Sequence, residues 1–167
     1  MKKLLLAALS IALFLSTFFA GSTPATAQES KILEFDTMVG IPDAFTGTRN
    51  PIRNINGGGL PWTLTSAHGE LTTSGKLEIE VQGLVLAAGA NTGSNPVATF
   101  RGLVSCLKSD GTFQNILTDP FPATTGPASS GGGNAKIEAN IALPQPCIAP
   151  IIFVTSPNGS WFAATGN

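Results

Sequence analysis

The residues able to do chemistry in this chain are few, and most occur singly. Its one histidine, His68, lies in Ser66-Ala67-His68-Gly69-Glu70. A nucleophilic triad would have to recruit it, yet no Gly-x-Ser-x-Gly elbow accompanies it. A turn or strand-end position before Gly69 is the simpler reading. Paired carboxylates come next, because glycosidases work with two of them about 5 to 10 Å apart. Glu78 and Glu80 fall on one face of a strand about 7 Å apart, two residues along it. Alternating Glu is also the ordinary way to keep a half-buried strand wet, and Glu34 with Asp36 reads the same way. Gly69 to Lys76 resembles a phosphate loop superficially, but it is one residue too long and Leu77 stands where Ser or Thr is needed. Asn158-Gly159-Ser160 fits a glycosylation acceptor, although Asn-Gly is wanted there by a turn.

The densest concentration of recognition chemistry runs from Phe45 to Trp62, with Arg49, Arg53, three asparagines, Gly57-Gly58-Gly59 and Trp62. Bare backbone at the glycines could admit a ligand closely. Arg49 or Arg53 would then hold an anionic group, and Trp62 would stack on a sugar or ring. The structural alternative has the glycines turning the chain, at least one with positive φ, while Trp62 fills the core. The structural reading is favoured for Trp62, and Arg49, Arg53 and Trp62 remain the candidate ligand-binding residues.

Met1-Lys2-Lys3, an apolar run from Leu4 to Ala20 and the small residues ending at Ala27 form a secretory signal, with Gln28 as the mature start. The rival is an uncleaved anchor, because the run is close to the length of a spanning helix. Pro24 and Ala25-Thr26-Ala27 favour cleavage, and no other stretch is long enough to span a membrane. Residues 28 to 167 then form one domain of about 140 residues. Loss of Lys2 and Lys3 leaves seven Lys and Arg against ten Asp and Glu, a formal charge of −3. That balance gives no basis for binding nucleic acid.

Export places Cys106 and Cys147 in a compartment where disulfides persist. With two cysteines, one intrachain pairing exists. The bridge would close a loop of about 40 residues, contributing on the order of 3 to 4 kcal/mol. Two thiols and one histidine lack metal-site spacing, so neither a metal nor another cofactor is expected.

The elements that must position these residues are strands. Leu77, Ile79 and Val81 alternate with Glu78 and Glu80; Ile137, Ala139 and Ile141 alternate with Lys136, Glu138 and Asn140. Further strands are expected at 33–39, 62–67, 83–86, 97–107, 113–117, 151–155 and 160–165. Thr73-Ser74-Gly75, Ser109-Asp110-Gly111 and Pro157-Asn158-Gly159 predict hairpins. Residues 88–95 and 123–134 read as mobile surface loops. Eight or nine short strands with one apolar face predict an all-β antiparallel β-sandwich, with a closed β-barrel as the alternative. Cys106 shares a face with Phe100 and Val104 and is expected inward, while Pro144, Pro146 and Pro150 mark an extended crossing or edge around Cys147.

The stretches Phe35 to Gly40, Asn50 to Arg53, Leu60 to Trp62, Ser105 to Leu107 and Pro146 to Pro157 resemble a family of small uncharacterised bacterial secreted proteins. The resemblance covers nearly the whole mature chain and implies a single domain holding both cysteines; it implies no activity or ligand. The expectation is an exported, non-catalytic binding or packing protein with a glycan or envelope partner. The alternatives are a secreted hydrolase on Glu78, Glu80 or His68, and a carbohydrate-binding module using Trp62 or Trp161.

Overall fold

The structure is a computed structural model that describes residues 29–165. The expected signal segment 1–27 and the start at Gln28 lie outside the described residues. Fourteen strands follow one another: β1 Lys31–Phe35, β2 Met38–Gly40, β3 Trp62–Thr63, β4 Ser66–Thr72, β5 Lys76–Gln82, β6 Val85–Leu86, β7 Ser94–Asn95, β8 Thr99–Leu107, β9 Phe113–Leu117, β10 Phe121–Pro122, β11 Gly126–Pro127, β12 Ala135–Asn140, β13 Ile148–Thr155 and β14 Trp161–Thr165. Sheet I has the order β1-β4-β5-β12. Sheet II has the order β10-β8-β13-β14-β2, with β9 also on β8, and all these pairs are antiparallel. Neither sheet closes on itself, so the fold is a β-sandwich and not a barrel.

The expected hairpins join β4 to β5, β8 to β9 and β13 to β14. Gly111 (φ 80°) and Gly159 (φ 86°) supply the left-handed residues that Asp-Gly and Asn-Gly promised. Two expected strands are broken, because the chain changes sheet within them. Residues 33–39 divide into the end of β1 in sheet I and β2 in sheet II, and 62–67 divide into β3, which pairs with β6, and β4 in sheet I. The connections read as surface loops hold one another through the β7–β11 pair, with Ala128 N–H donating to Gly93 O at 3.0 Å.

Between the sheets, Leu77, Ile79, Val81 and Ile137 face Phe100, Val104, Ile152 and Val154, all fully buried. Each such side chain contributes about 1.5 to 3 kcal/mol by leaving water. Gly102 lies where the sheets press together: a Cβ there would come 3.0 Å from Leu77 Cδ2 and 3.3 Å from Ile79 Cδ1.

The other face of sheet II is buried too. Residues 41–61 fold over it, so Phe45 meets Trp161 edge-on at 6.2 Å, and Trp161 lies 6.0 Å from Phe153. Phe162, next along β14, points to the opposite side and stacks on Trp62 at 4.0 Å and 20°, with Phe100 edge-on to both. The covering segment is tied to β14 by backbone bonds: Gly58 N–H to Trp161 O at 2.9 Å, Trp161 N–H to Asn56 O at 3.0 Å and Ile41 N–H to Phe162 O at 2.8 Å. The glycines there serve proximity. Gly57, Gly58 and Gly59 have no positive φ, contrary to the expectation of a turn; the left-handed residues are Arg53 (φ 49°) and Asn54 (φ 66°). A Cβ on Gly57 would strike the Ile41 side chain and the Phe45 carbonyl, and one on Gly58 would lie 2.9 Å from the Phe162 ring, whereas Gly59 has open space.

Cys106 is buried and bonded to Cys147, with Cα atoms 4.9 Å apart. The proline-rich crossing ends in β13, whose ladder to β8 is interrupted between Ile148 and Ile151, so Pro150 sits where no paired N–H is required.

Three predictions follow from this packing. Reducing the disulfide should lower the melting temperature by about 10 °C or more, from roughly 3 kcal/mol in a domain of this size; calorimetry with and without reductant checks it, and unchanged melting would contradict it. Trp62→Ala should cost about 3 to 5 kcal/mol. Gly57→Ala should destabilise while Gly59→Ala is near neutral, and denaturant titration of the three variants separates close approach from turn conformation.

Candidate functional site

The outer face of sheet I collects the carboxylates singled out from the sequence. Register places Glu34, Glu70, Glu78 and Glu138 side by side across all four strands, with His68, Glu80 and Lys136 in the adjoining row. Like charges on neighbouring strands repel, and lysines offset this here. Lys31 reaches Glu34 at 2.9 Å and Glu70 at 2.8 Å, Lys76 reaches Glu78 at 2.5 Å, and Lys136 reaches Glu138 at 2.6 Å. His68 Nε2 stands 3.6 Å from Glu80 Oε2. The hydrogen bonds that Lys31 donates to Glu70 and Glu34 raise its pKa above the ordinary value, and the hydrogen bond from Lys76 lowers that of Glu78.

A general acid needs a raised pKa, so Glu78 is shifted the wrong way for that role. The cleft lined by Glu34, Asp36, His68, Glu70 and Glu78 has a volume of about 140 Å³, below the roughly 300 to 1,000 Å³ of typical ligand sites. Glu78 and Glu80 do share a face, as the alternation requires. What that face forms is a solvated ladder of ion pairs.

The glycine-rich stretch scatters its three candidates. Arg49 pairs with Asp43 Oδ2 at 3.1 Å and donates to the Asp43 carbonyl, closing its own loop. Trp62 is 5% exposed and Trp161 3%, so neither ring offers a face for stacking. Arg53 is different. From a left-handed position in the tight turn where Ile52 and Ile55 bridge, it donates from Nη1 to Ser105 O at 2.7 Å and from Nη2 to Ala149 O at 2.8 Å. Its guanidinium lies over the Phe113 ring at 5.1 Å, and Asn115 Nδ2 donates to its carbonyl at 3.0 Å. Partial burial lowers its pKa, with the group remaining charged.

Among the described residues, five of the seven Lys and Arg side chains meet a carboxylate, while Arg53 and Arg101 meet carbonyls instead. Arg53 borders a groove of about 510 Å³. One wall is Ile32 and Leu33 of β1; the other is Cys147, Ala149, Pro150 and Ile151 at the start of β13. Sequence reasoning found Arg53 and the bridge but not the groove, since Leu33 and Ile151 read only as strand residues and Ile32 fell just outside the expected strand 33–39. Three prolines around a half-cystine were the available signal, marking backbone excluded from regular pairing.

Glu78 owes its lowered pKa chiefly to Lys76, so the favourable term is present above the ordinary carboxylate pKa and is lost as pH falls through the lowered folded value. Lys76→Met should therefore raise the Glu78 midpoint in a carboxyl NMR titration; an unmoved midpoint would show that the ion pair does not hold it. Compared with known proteins, the chain matches no family model, no curated protein and no solved structure.

Proposed function

We propose that this protein is an extracytoplasmic, non-catalytic binding protein whose ligand combines an apolar body with an anionic group. The observation that carries this reading is Arg53: a guanidinium fixed by two carbonyls, without a carboxylate partner among the described residues, at the rim of an apolar groove. Its two bonds to Ser105 and Ala149 engage two of five N–H donors, leaving three for an anion. The groove volume falls within the range of ordinary ligand sites. The disulfide supports an oxidising compartment, in line with the secretory signal expected from residues 1–27. The hydrolase alternative is weakened by the ion-paired Glu78, and the carbohydrate module by the burial of both tryptophans.

The test uses anilinonaphthalene sulfonate, an apolar anion whose fluorescence rises on leaving water. The mature protein should bind it saturably, Arg53→Gln should weaken binding about tenfold or more, and Arg53→Lys should retain part of it. Arg49→Gln should match the parent protein. Equal binding by the Arg53→Gln and Arg49→Gln variants, both folded by circular dichroism, would overturn the assignment.

A further inference from the structure

β9 is an edge of sheet II whose outward backbone is unpaired among the described residues. It pairs with β8 alone, from Phe113 opposite Leu107 to Leu117 opposite Leu103, without a register shift. Two bonds at the ends of this ladder set its phase, Lys108 N–H to Thr112 O and Thr118 N–H to Gly102 O, each at 2.9 Å. Antiparallel pairs alternate between bonded and non-bonded, so Gln114 and Ile116 turn their N–H and C=O groups toward β8. Phe113, Asn115 and Leu117 turn theirs away. Phe113, Gln114 and Asn115 are exposed, and Ile116 and Leu117 are partly buried.

An open edge invites another strand, and native sheets blunt their edges with charge, proline, irregular register or short length. The other edges of the two sheets are blunted in these ways. β1 carries Lys31 and Glu34 and breaks register between Lys31 and Leu33, while β12 carries Lys136 and Glu138. β2 has three residues, and β10 has two, one of them Pro122. β9 reads Phe-Gln-Asn-Ile-Leu over five residues, with no charge, no proline and no register break.

We propose that β9 is a self-association edge, to which the β9 of a second copy of this chain adds antiparallel about a two-fold axis at Asn115. Self-complementarity selects a second copy as the occupant. In the register that overlaps the two strands fully, Asn115 faces the partner's Asn115 and Phe113 faces the partner's Leu117. Each outward N–H then meets an outward C=O. Phe113 is 44% exposed, one of four exposed large apolar side chains among the described residues, and the partner's Leu117 covers it. On the other face Gln114 lies opposite the partner's Ile116, so no charge meets its like anywhere along the seam. A symmetric contact of this kind closes as a dimer. Strands this short make a small contact beside the roughly 1,200 to 2,000 Å² of stable interfaces, so the dimer is weak and reversible. It is independent of the ligand proposed for the Arg53 groove.

The experiment follows sedimentation of the protein comprising residues 28–167 from micromolar to millimolar concentration, with amide hydrogen exchange at both ends of that range. The parent should pass reversibly from monomer to dimer. Exchange should slow with concentration at Phe113, Asn115 and Leu117, and stay unchanged at Gln114 and Ile116, whose N–H groups already face β8. Asn115→Lys and Asn115→Asp each set like charges face to face across the axis and should weaken the dimer about tenfold or more. An equimolar mixture of the two variants should restore it as a heterodimer. Both variants lose the bond from Asn115 Nδ2 to the Arg53 carbonyl, so recovery in the mixture reports charge across the axis and not repair of that bond. A folded parent that stays monomeric at millimolar concentration would overturn the proposal, as would association that grows past the dimer. A dimer indifferent to Asn115→Lys, a mixture that remains monomeric, or slowing confined to residues other than Phe113, Asn115 and Leu117 would each place the contact away from β9.

Discussion

The central strands of sheet II are buried on both faces, and that constraint organises the rest of the molecule. A sandwich needs only one covered face per sheet, and sheet I follows that pattern, with lysines and glutamates on its outer side. β13 and β14 instead carry apolar side chains both ways: Ile152, Val154 and Ala163 toward sheet I, Phe153 and Trp161 away from it. Left in water, the second set would form an exposed apolar patch of the kind that drives association. Residues 41–61 cover it, and to do so their backbone must reach hydrogen-bonding distance of β14. A side chain at 58 would hold it off by striking Phe162, and one at 57 would part the segment from its own Ile41 and Phe45. Gly58 is thus a consequence of enclosing β14, and Gly57 of the tight fold of the segment that does so.

The same covering segment delivers Arg53 to one corner of the sandwich, where two unlike ties converge. The disulfide joins Cys106 of β8 to Cys147 just ahead of β13, and Arg53 joins the carbonyls of Ser105 and Ala149, each one or two residues from a half-cystine. In magnitude the bridge, on the order of 3 to 4 kcal/mol, is comparable with two charge-assisted hydrogen bonds at about 1.5 to 3 kcal/mol each. They act differently. The bridge restricts the unfolded chain, whereas the arginine fixes the direction of carbonyls in the folded one. A guanidinium can do this and still present N–H groups outward, because its donors are spread around a plane. Arg53 thereby joins the stability of the corner to the chemistry of the groove.

Period-two alternation and Asp-Gly or Asn-Gly turns made the sandwich and three of its hairpins legible in the sequence, because they are local signals of strand and turn. The breaks at Asp36-Thr37 and Leu64-Thr65 were not, since a strand changing sheet keeps its alternation and is decided by tertiary partners. Gly57 and Gly58 were read as conformational when their requirement is steric, a distinction that depends on what lies opposite. Trp62 illustrates a similar ambiguity: beside glycine, proline and arginine it looks as much like a stacking platform as a core ring, and only Phe162 and Phe100 decide. The groove was illegible for the same reason. Its walls are assembled from residues 32–33, 53 and 147–151, and no two of those segments adjoin in sequence.

Charge distribution separates the charged face of sheet I from the groove as a place to bind. The first has many titratable groups, but each lysine there is satisfied within the sheet, so an incoming ion would have to displace an existing partner. Arg53 has carbonyls for partners, and carbonyls orient a cation without neutralising it. Residues 28–167 carry a formal charge of −3, so an anion is weakly repelled at long range, and at physiological salt that repulsion fades within about 8 Å. Attraction at Arg53 is therefore short-ranged and directional, effective only for a ligand whose apolar part already lies along the groove. In the proposed function, apolar contact would bring the ligand in, and the guanidinium would then select among apolar ligands by the position of one negative charge.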